Sequence, residues 1–165
     1  ENTGILFVVP TGGGAPTQVL KAAVLAAVTV TYPRTITFQV TVQDPLYKTV
    51  NVLARVAILR GYNKQAVKAS IEAALEAMFA VENADGTPND RIDFGGKITD
   101  SAGDIVAELA WSDVFNAVRD TAGVRKVVPD QFLLNGADSD VALLTREFPR
   151  LGTVTVIDDE TGLVL

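Results

Sequence analysis

The chain has 165 residues, 48% hydrophobic and 21% charged, and carries a net charge of −6, which bounds it to one globular domain or two small ones. It contains neither Cys nor His, which removes disulfides, thiolate nucleophiles, imidazole bases and the usual zinc ligands together. The acid excess without any Lys/Arg cluster argues against nucleic acid, and no apolar run reaches the roughly 18 residues of a membrane span.

The mean hydropathy of +0.25 is high for a soluble chain, so part of the apolar surface is expected to face a neighbour. The chain opens on Glu1 without a Met, which reads as a piece of a longer protein. "GILFVVP" (4–10) predicts a buried strand closed by Pro10. Residues 16–28 predict a helix with Pro16 at its first position and Val19, Leu20, Ala23, Val24 and Ala27 on one side. "TITFQVTV" (35–42) alternates Ile36, Phe38, Val40 and Val42 on one face, a half-buried strand. Residues 1–44 therefore read as a β-α-β unit. Two strands make no independent sheet, so this unit is expected to complete a domain begun upstream, with a second, α+β domain over 45–165.

After the Asp-Pro turn "QDPLY" (43–47), a long strand is predicted over 47–60, with Val50, Val52, Ala54, Val56 and Ile58 on one face. Asn63 suits the cap of a helix over 64–79. There Val67, Ile71, Ala74, Leu75 and Met78 form the core stripe, and Lys64, Lys68, Glu72 and Glu76 the solvated side. The polar segment 81–104 reads as a long loop with a short β segment near Ile92–Phe94. "DIVAELAWSD" adds a short strand, and Ser112 reads as the cap of a helix that turns Val114, Phe115 and Val118 inward and closes at Gly123. Strands are predicted at 124–128, 132–134, 141–144 and 153–157. The fold class is α+β: the β-α-β unit, then a sandwich-like domain with helices packed on small sheets.

Constellations that could carry chemistry are incomplete. The turn around Gly12 and Gly14, between strand and helix, resembles a phosphate loop. The third glycine position of a dinucleotide motif holds Thr17, however, and Val28–Gln43 contains no ribose-binding acid. No Walker lysine follows, since Lys21 lies inside the helix. A small-anion or nucleotide-binding module using the Gly12–Gly14 turn stays as the alternative reading. Aligning Gly86 with the sixth position of a calcium loop puts Val81 first and Ile92 last, where carboxylates are required. The acid groups 138–140 and 158–160 sit beside glycines, as turn residues do. Ser112 has no imidazole to activate it, and Trp111 reads as a core or interface anchor. No catalytic residue, cofactor or metal ligand is expected, and the chain does not read as an enzyme.

Taken in order, "VVPTGGGAPTQVLKAAV", "VTVQDPLYKTVNVLARVAI", "GYNKQAVKASIEAALEAMF", "WSDVFNAVRDTAGVRKV" and "EFPRLGTVTV" resemble the baseplate J-like proteins of contractile-tailed bacteriophages, over about Gly4 to Ile157. Phe148 stands where the closing motif more often has Leu, and the 81–104 loop is longer and more polar than the family's. The resemblance implies the C-terminal part of a structural subunit of a phage or prophage-derived tail baseplate. Such a subunit is made in the bacterial cytoplasm and sits in the virion tail. It packs against its own copies and other wedge proteins around the central hub, with no cofactor and no membrane span. Expected packing surfaces are the strand face with Leu53, Ala57 and Leu59, and the segment Thr153–Leu165, whose final "GLVL" reads as cut off before its partner.

Overall fold

The computed structural model describes residues 2–31 and 38–165. Two compact units form, 1–46 and 47–165.

In the first unit β1 (Asn2–Phe7) and β2 (Phe38–Gln43) pair in parallel, with Gly4 opposite Val40 and Leu6 opposite Val42. Between them in sequence come α1 (Gln18–Ala26) and a π-helical turn (Ala27–Thr31). A parallel pair requires such a crossover, and the β-α-β unit is the one expected. Val40 and Val42 form the half-buried side of β2, while Ile36 lies outside the described residues. Two details differ. β1 stops at Phe7, and it is not buried: Ile5 is 54% exposed, because a two-stranded sheet has little to cover it. The cap of α1 is Thr17, whose hydroxyl accepts the Leu20 N–H at 3.1 Å. Pro16 therefore precedes the cap, buried, instead of opening the helix. No residue of α1 is buried. Its half-buried side, continued through the turn, runs along Leu20, Val24 and Val28, while Val19, Ala23 and Ala27 are exposed.

In the second unit β7 (Val124–Leu134), β3 (Leu46–Ile58) and β9 (Glu147–Asp158) form one sheet in that order. β3 shows the predicted alternation as far as Val56, with Val50, Val52, Ala54 and Val56 all buried. It then slips: irregularities against β7 fall between Ala54 and Val56 and between Ala57 and Ile58. Ala57 is consequently buried and Ile58 only half-buried. β7 is antiparallel to β3, from Val52 opposite Leu134 to Ile58 opposite Val124. It is one strand rather than two, running through Pro129. An edge strand tolerates a residue without an N–H, and 128–131 fall within the first irregularity. β9 likewise begins at Glu147 instead of Thr153 and takes Pro149 into the opposite edge. Tyr47 meets Phe148, Asn51 meets Thr153 and Val56 meets Asp159, so β9 runs in the direction of β3.

α2 (Lys64–Met78) is capped by Asn63, whose side chain accepts the Ala66 N–H at 3.0 Å. Its buried stripe is Val67, Ile71 and Leu75. α3 (Trp111–Arg119) buries Val114 and Val118. α2 packs on α3 and β9, and α3 on β7, which places both helices over the apolar face of the sheet. Trp111 stacks on Phe115 at 4.7 Å and meets Phe132 edge-on at 5.2 Å, while its indole N–H donates to the Phe132 carbonyl. Ser112 is exposed and caps nothing. The residue in the cap position, Ala110, offers no side-chain bond; Asp140 accepts the Trp111 N–H instead, at 2.6 Å.

Two short pairs follow in and after the polar segment: β4 (Ile98–Thr99) with β5 (Ile105–Val106), and β6 (Glu108–Leu109) with β8 (Val141–Ala142). Ile92–Phe94 is a turn rather than a strand. It follows Asn89, whose carboxamide donates to the Met78 and Ala80 carbonyls at 2.8 and 2.9 Å and so closes the C-terminal end of α2. The final residues fold back on β9, with the Leu165 N–H bonded to the Val156 carbonyl and Val164 bridged to Ile157. "GLVL" thus has a partner within the unit, although Leu163 and Val164 remain exposed.

Candidate functional site

The glycine turn is explained by its backbone. Gly13 and Gly14 have φ of 70° and 79°, a region that disfavours a side chain. The Gly13 N–H closes on the Pro10 carbonyl at 2.7 Å. A Cβ added at Gly12, Gly13 or Gly14 would meet nothing within 4 Å, so no cradle shapes the loop. An anion at a helix N-terminus uses the first-turn amides, and here the Leu20 amide is already taken by Thr17. Lys21 is held by Asp44 at 2.6 Å. The small-anion alternative finds no support in this geometry.

The carboxylates of 158–160 form a clamp. Asp158, only 1% exposed, accepts from the Lys64 ammonium at 2.7 Å and from the Thr161 hydroxyl. Lys64 also reaches Glu160 at 2.9 Å. Arg55 donates through Nε to Asp159 at 2.8 Å and through Nη1 to Gln131. The Lys64 hydrogen bond holds the Asp158 carboxyl below its ordinary pKa, and the bonds to Asp158 and Glu160 raise that of Lys64. An acid–base pair needs a carboxyl pushed upward; this one is pushed down and serves to tie the end of β9 to α2. Lys64 is therefore engaged in ion pairs while its side chain stays 39% exposed. The clamp borders a hollow of about 810 Å³, which Arg60, Tyr62 and Arg125 also line. In the other acid group, Asp140 is the remote cap of α3 and Asp138 is exposed.

The acidic loop is built from turns. Asp85 accepts the Thr87 hydroxyl and N–H, which lower its pKa, and Asp100 accepts the Ala102 and Asp104 N–H groups. Among the described residues no three His, Cys, Asp or Glu converge to hold a metal, and no helix is long and apolar enough to cross a membrane.

Two surfaces remain without such an internal explanation. The sheet face turned away from the helices is shallow and mixed. A hollow of about 380 Å³ on it is lined by Leu53, Leu133, Asn135, Thr153 and Thr155 among others. Of the three residues expected there, Leu53 is half-buried, Ala57 is buried and Leu59 is exposed. Asn135, with φ 52°, fastens that face by accepting the Asn51 N–H and donating to the Thr49 carbonyl. The second surface is a cleft of about 630 Å³ by the ends of α2 and α3, into which Asp113 faces. Sequence reasoning passed over Asp113, Asn89 and Asn135. The one available signal was an acid at the third helical position, next to the apolar Val114.

Caps, clamps and two helices on one face of a three-stranded sheet define an α+β domain. Residues 50–157 match the family model of the baseplate J-like protein C-terminal domain, and the chain belongs to that family. The resemblance is borne out over residues 50–157, and the glycine-turn segment before Val50 lies outside the match. Membership supports a structural role in a phage baseplate, in the virion tail and in association with other tail proteins. No curated protein matches the chain.

Proposed function

We propose that this chain is the packing part of a baseplate wedge subunit in a contractile phage tail or a prophage-derived one, set around the central hub against copies of itself and other wedge proteins. The observation that carries the reading is the family match over 50–157. The surface is compatible with it: Leu59, Tyr62, Leu144, Leu163 and Val164 are exposed and available to a partner. The role is not enzymatic, since the acid groups named above work as caps, turns and clamps. The first unit, 1–44 with its linker, is completed by further strands or a neighbour, because a two-stranded sheet beneath a helix with no buried residue is not self-sufficient. The subunit is made in the bacterial cytoplasm and joins the tail there.

The test is co-expression of the full-length protein with its neighbouring tail genes, purification of the particles and mass spectrometry of their proteins. The reading expects the chain in the particle fraction, cross-linked to itself and to other tail proteins. A chain left free and monodisperse while complete tails form without it contradicts the reading.

A further inference from the structure

We propose that the acidic cleft lined by the C-terminal end of α2 and by α3 from Asp113 to Asp120 is a socket for a lysine or arginine side chain of a neighbouring tail protein. The proposal rests on the packing role just described.

Four carboxylates line the cleft, those of Asp90, Asp100, Asp113 and Asp120, against one guanidinium, that of Arg91. Two of the four are committed locally: Asp100 accepts backbone amides of its own turn, and Asp120 accepts from Arg119 at 3.0 Å. Asp113 is different. It is 6% exposed, it lines the cleft, and among the described residues its carboxylate has no hydrogen-bond or ion-pair partner. Among the described residues no side-chain oxygen is both sealed from solvent and without a partner, so the access that Asp113 keeps opens into the cleft. Its place in the first turn of α3 suits a negative charge. That accounts for the sign and not for the burial, which is costly for an unpaired carboxylate.

The walls favour a cation with a long apolar stem. The last turn of α2 contributes Ala77 and Met78 and carries no basic residue; its closing carbonyls are capped by the neutral Asn89 carboxamide, so the negative end of that helix dipole meets no positive charge from its own turn. Ala117 adds apolar wall from α3. Lysine and arginine lay such stems along apolar surface while the charged head finds its partner. A bare divalent cation needs six or more converging oxygens, and among the described residues no such group assembles. A net charge of −6 on the whole chain also favours a basic partner surface.

The decisive experiment is cryo-electron microscopy of purified wild-type particles. The expected result is a Lys or Arg of another chain with its nitrogen within about 4 Å of the Asp113 carboxylate. A cleft open to solvent, covered by an apolar side chain, or holding a metal ion overturns the socket and leaves the packing role standing. Particles that lack the chain overturn both. In parallel, Asp113→Asn, shown to fold by an unchanged unfolding midpoint, should be recovered in particles at about a tenth of the wild-type amount or less, and the exposed Asp138→Asn at the wild-type level. Recovery of Asp113→Asn equal to wild type also overturns the proposal.

Discussion

Leu75 tests the packing of the second unit most sharply. It has no exposed surface and sits in the stripe by which α2 meets the sheet and α3. Leu75→Ala removes three buried carbons, about 2.4 kcal/mol at 0.8 per methylene. The cavity left behind adds to this, and the better helix propensity of Ala returns a few tenths. The expected cost is about 3 kcal/mol, within the range of roughly 2 to 5 for such truncations. For a unit spanning residues 47–165 that lowers Tm by about 10 °C. Leu75→Asp adds an unpaired buried carboxyl and approaches the whole stability of a small domain, about 5–15 kcal/mol, so it should not fold. The assay is urea unfolding followed by the fluorescence of Trp111, the sole tryptophan, which packs on Phe115 and Phe132 in the same core. Glu76→Ala, one position on and exposed, is the control and should stay within about 0.5 kcal/mol of wild type. A Leu75→Ala protein as stable as wild type, or a control as damaging, refutes the orientation given to α2.

Other perturbations separate other causes. A Cβ at Gly95 would lie 2.5 Å from the Leu144 carbonyl oxygen and 2.7 Å from that of Leu143; because backbone yields poorly, Gly95→Ala should cost about 1–3 kcal/mol in denaturant unfolding, and a neutral result would show that the two segments do not approach so closely. Asp140→Ala removes the remote cap of α3 and should cost about 1 kcal/mol, with Asp138→Ala neutral in the same titration. The folded-state pKa of Asp158 is depressed by Lys64. Its stabilisation is therefore full above the unfolded value of about 3.9 and lost as pH falls through the folded value. Stability measured against pH should show Asp158→Asn missing that acid-side loss, and a profile identical to wild type would refute the clamp. Calorimetry with ATP, GTP and NAD should show no binding, and micromolar affinity for any of them would overturn the account of the Gly12–Gly14 turn.

What could be read beforehand depended on whether its cause was local. α2 was legible because Asn63 caps it and Val67, Ile71 and Leu75 recur at helical spacing. The apolar face of β3 was legible until Val56, where the pairing irregularities change its phase; nothing in "RVAILR" announces those. β7 and β9 were cut short because Pro129 and Pro149 look like breaks, and only a place at the sheet edge makes them tolerable. The cap of α3 was misassigned to Ser112 because its source, Asp140, arrives from 29 residues away. Asn89 closing α2 is likewise a tertiary event. The face of α1 was misplaced because a lightly covered helix leaves little burial to fix its phase. The cleft was invisible for the same reason as the caps: the Asp113 helix and the Asp90 and Asp100 turns come together only in the fold.

The central claim, that the chain works in the tail baseplate, is tested most directly by locating it. An antibody against residues 47–165 is applied to purified particles, which are then imaged by electron microscopy. The account predicts label at the tail tip, in the ring around the hub. Label confined to the head or along the sheath, or particles that carry none, would contradict it.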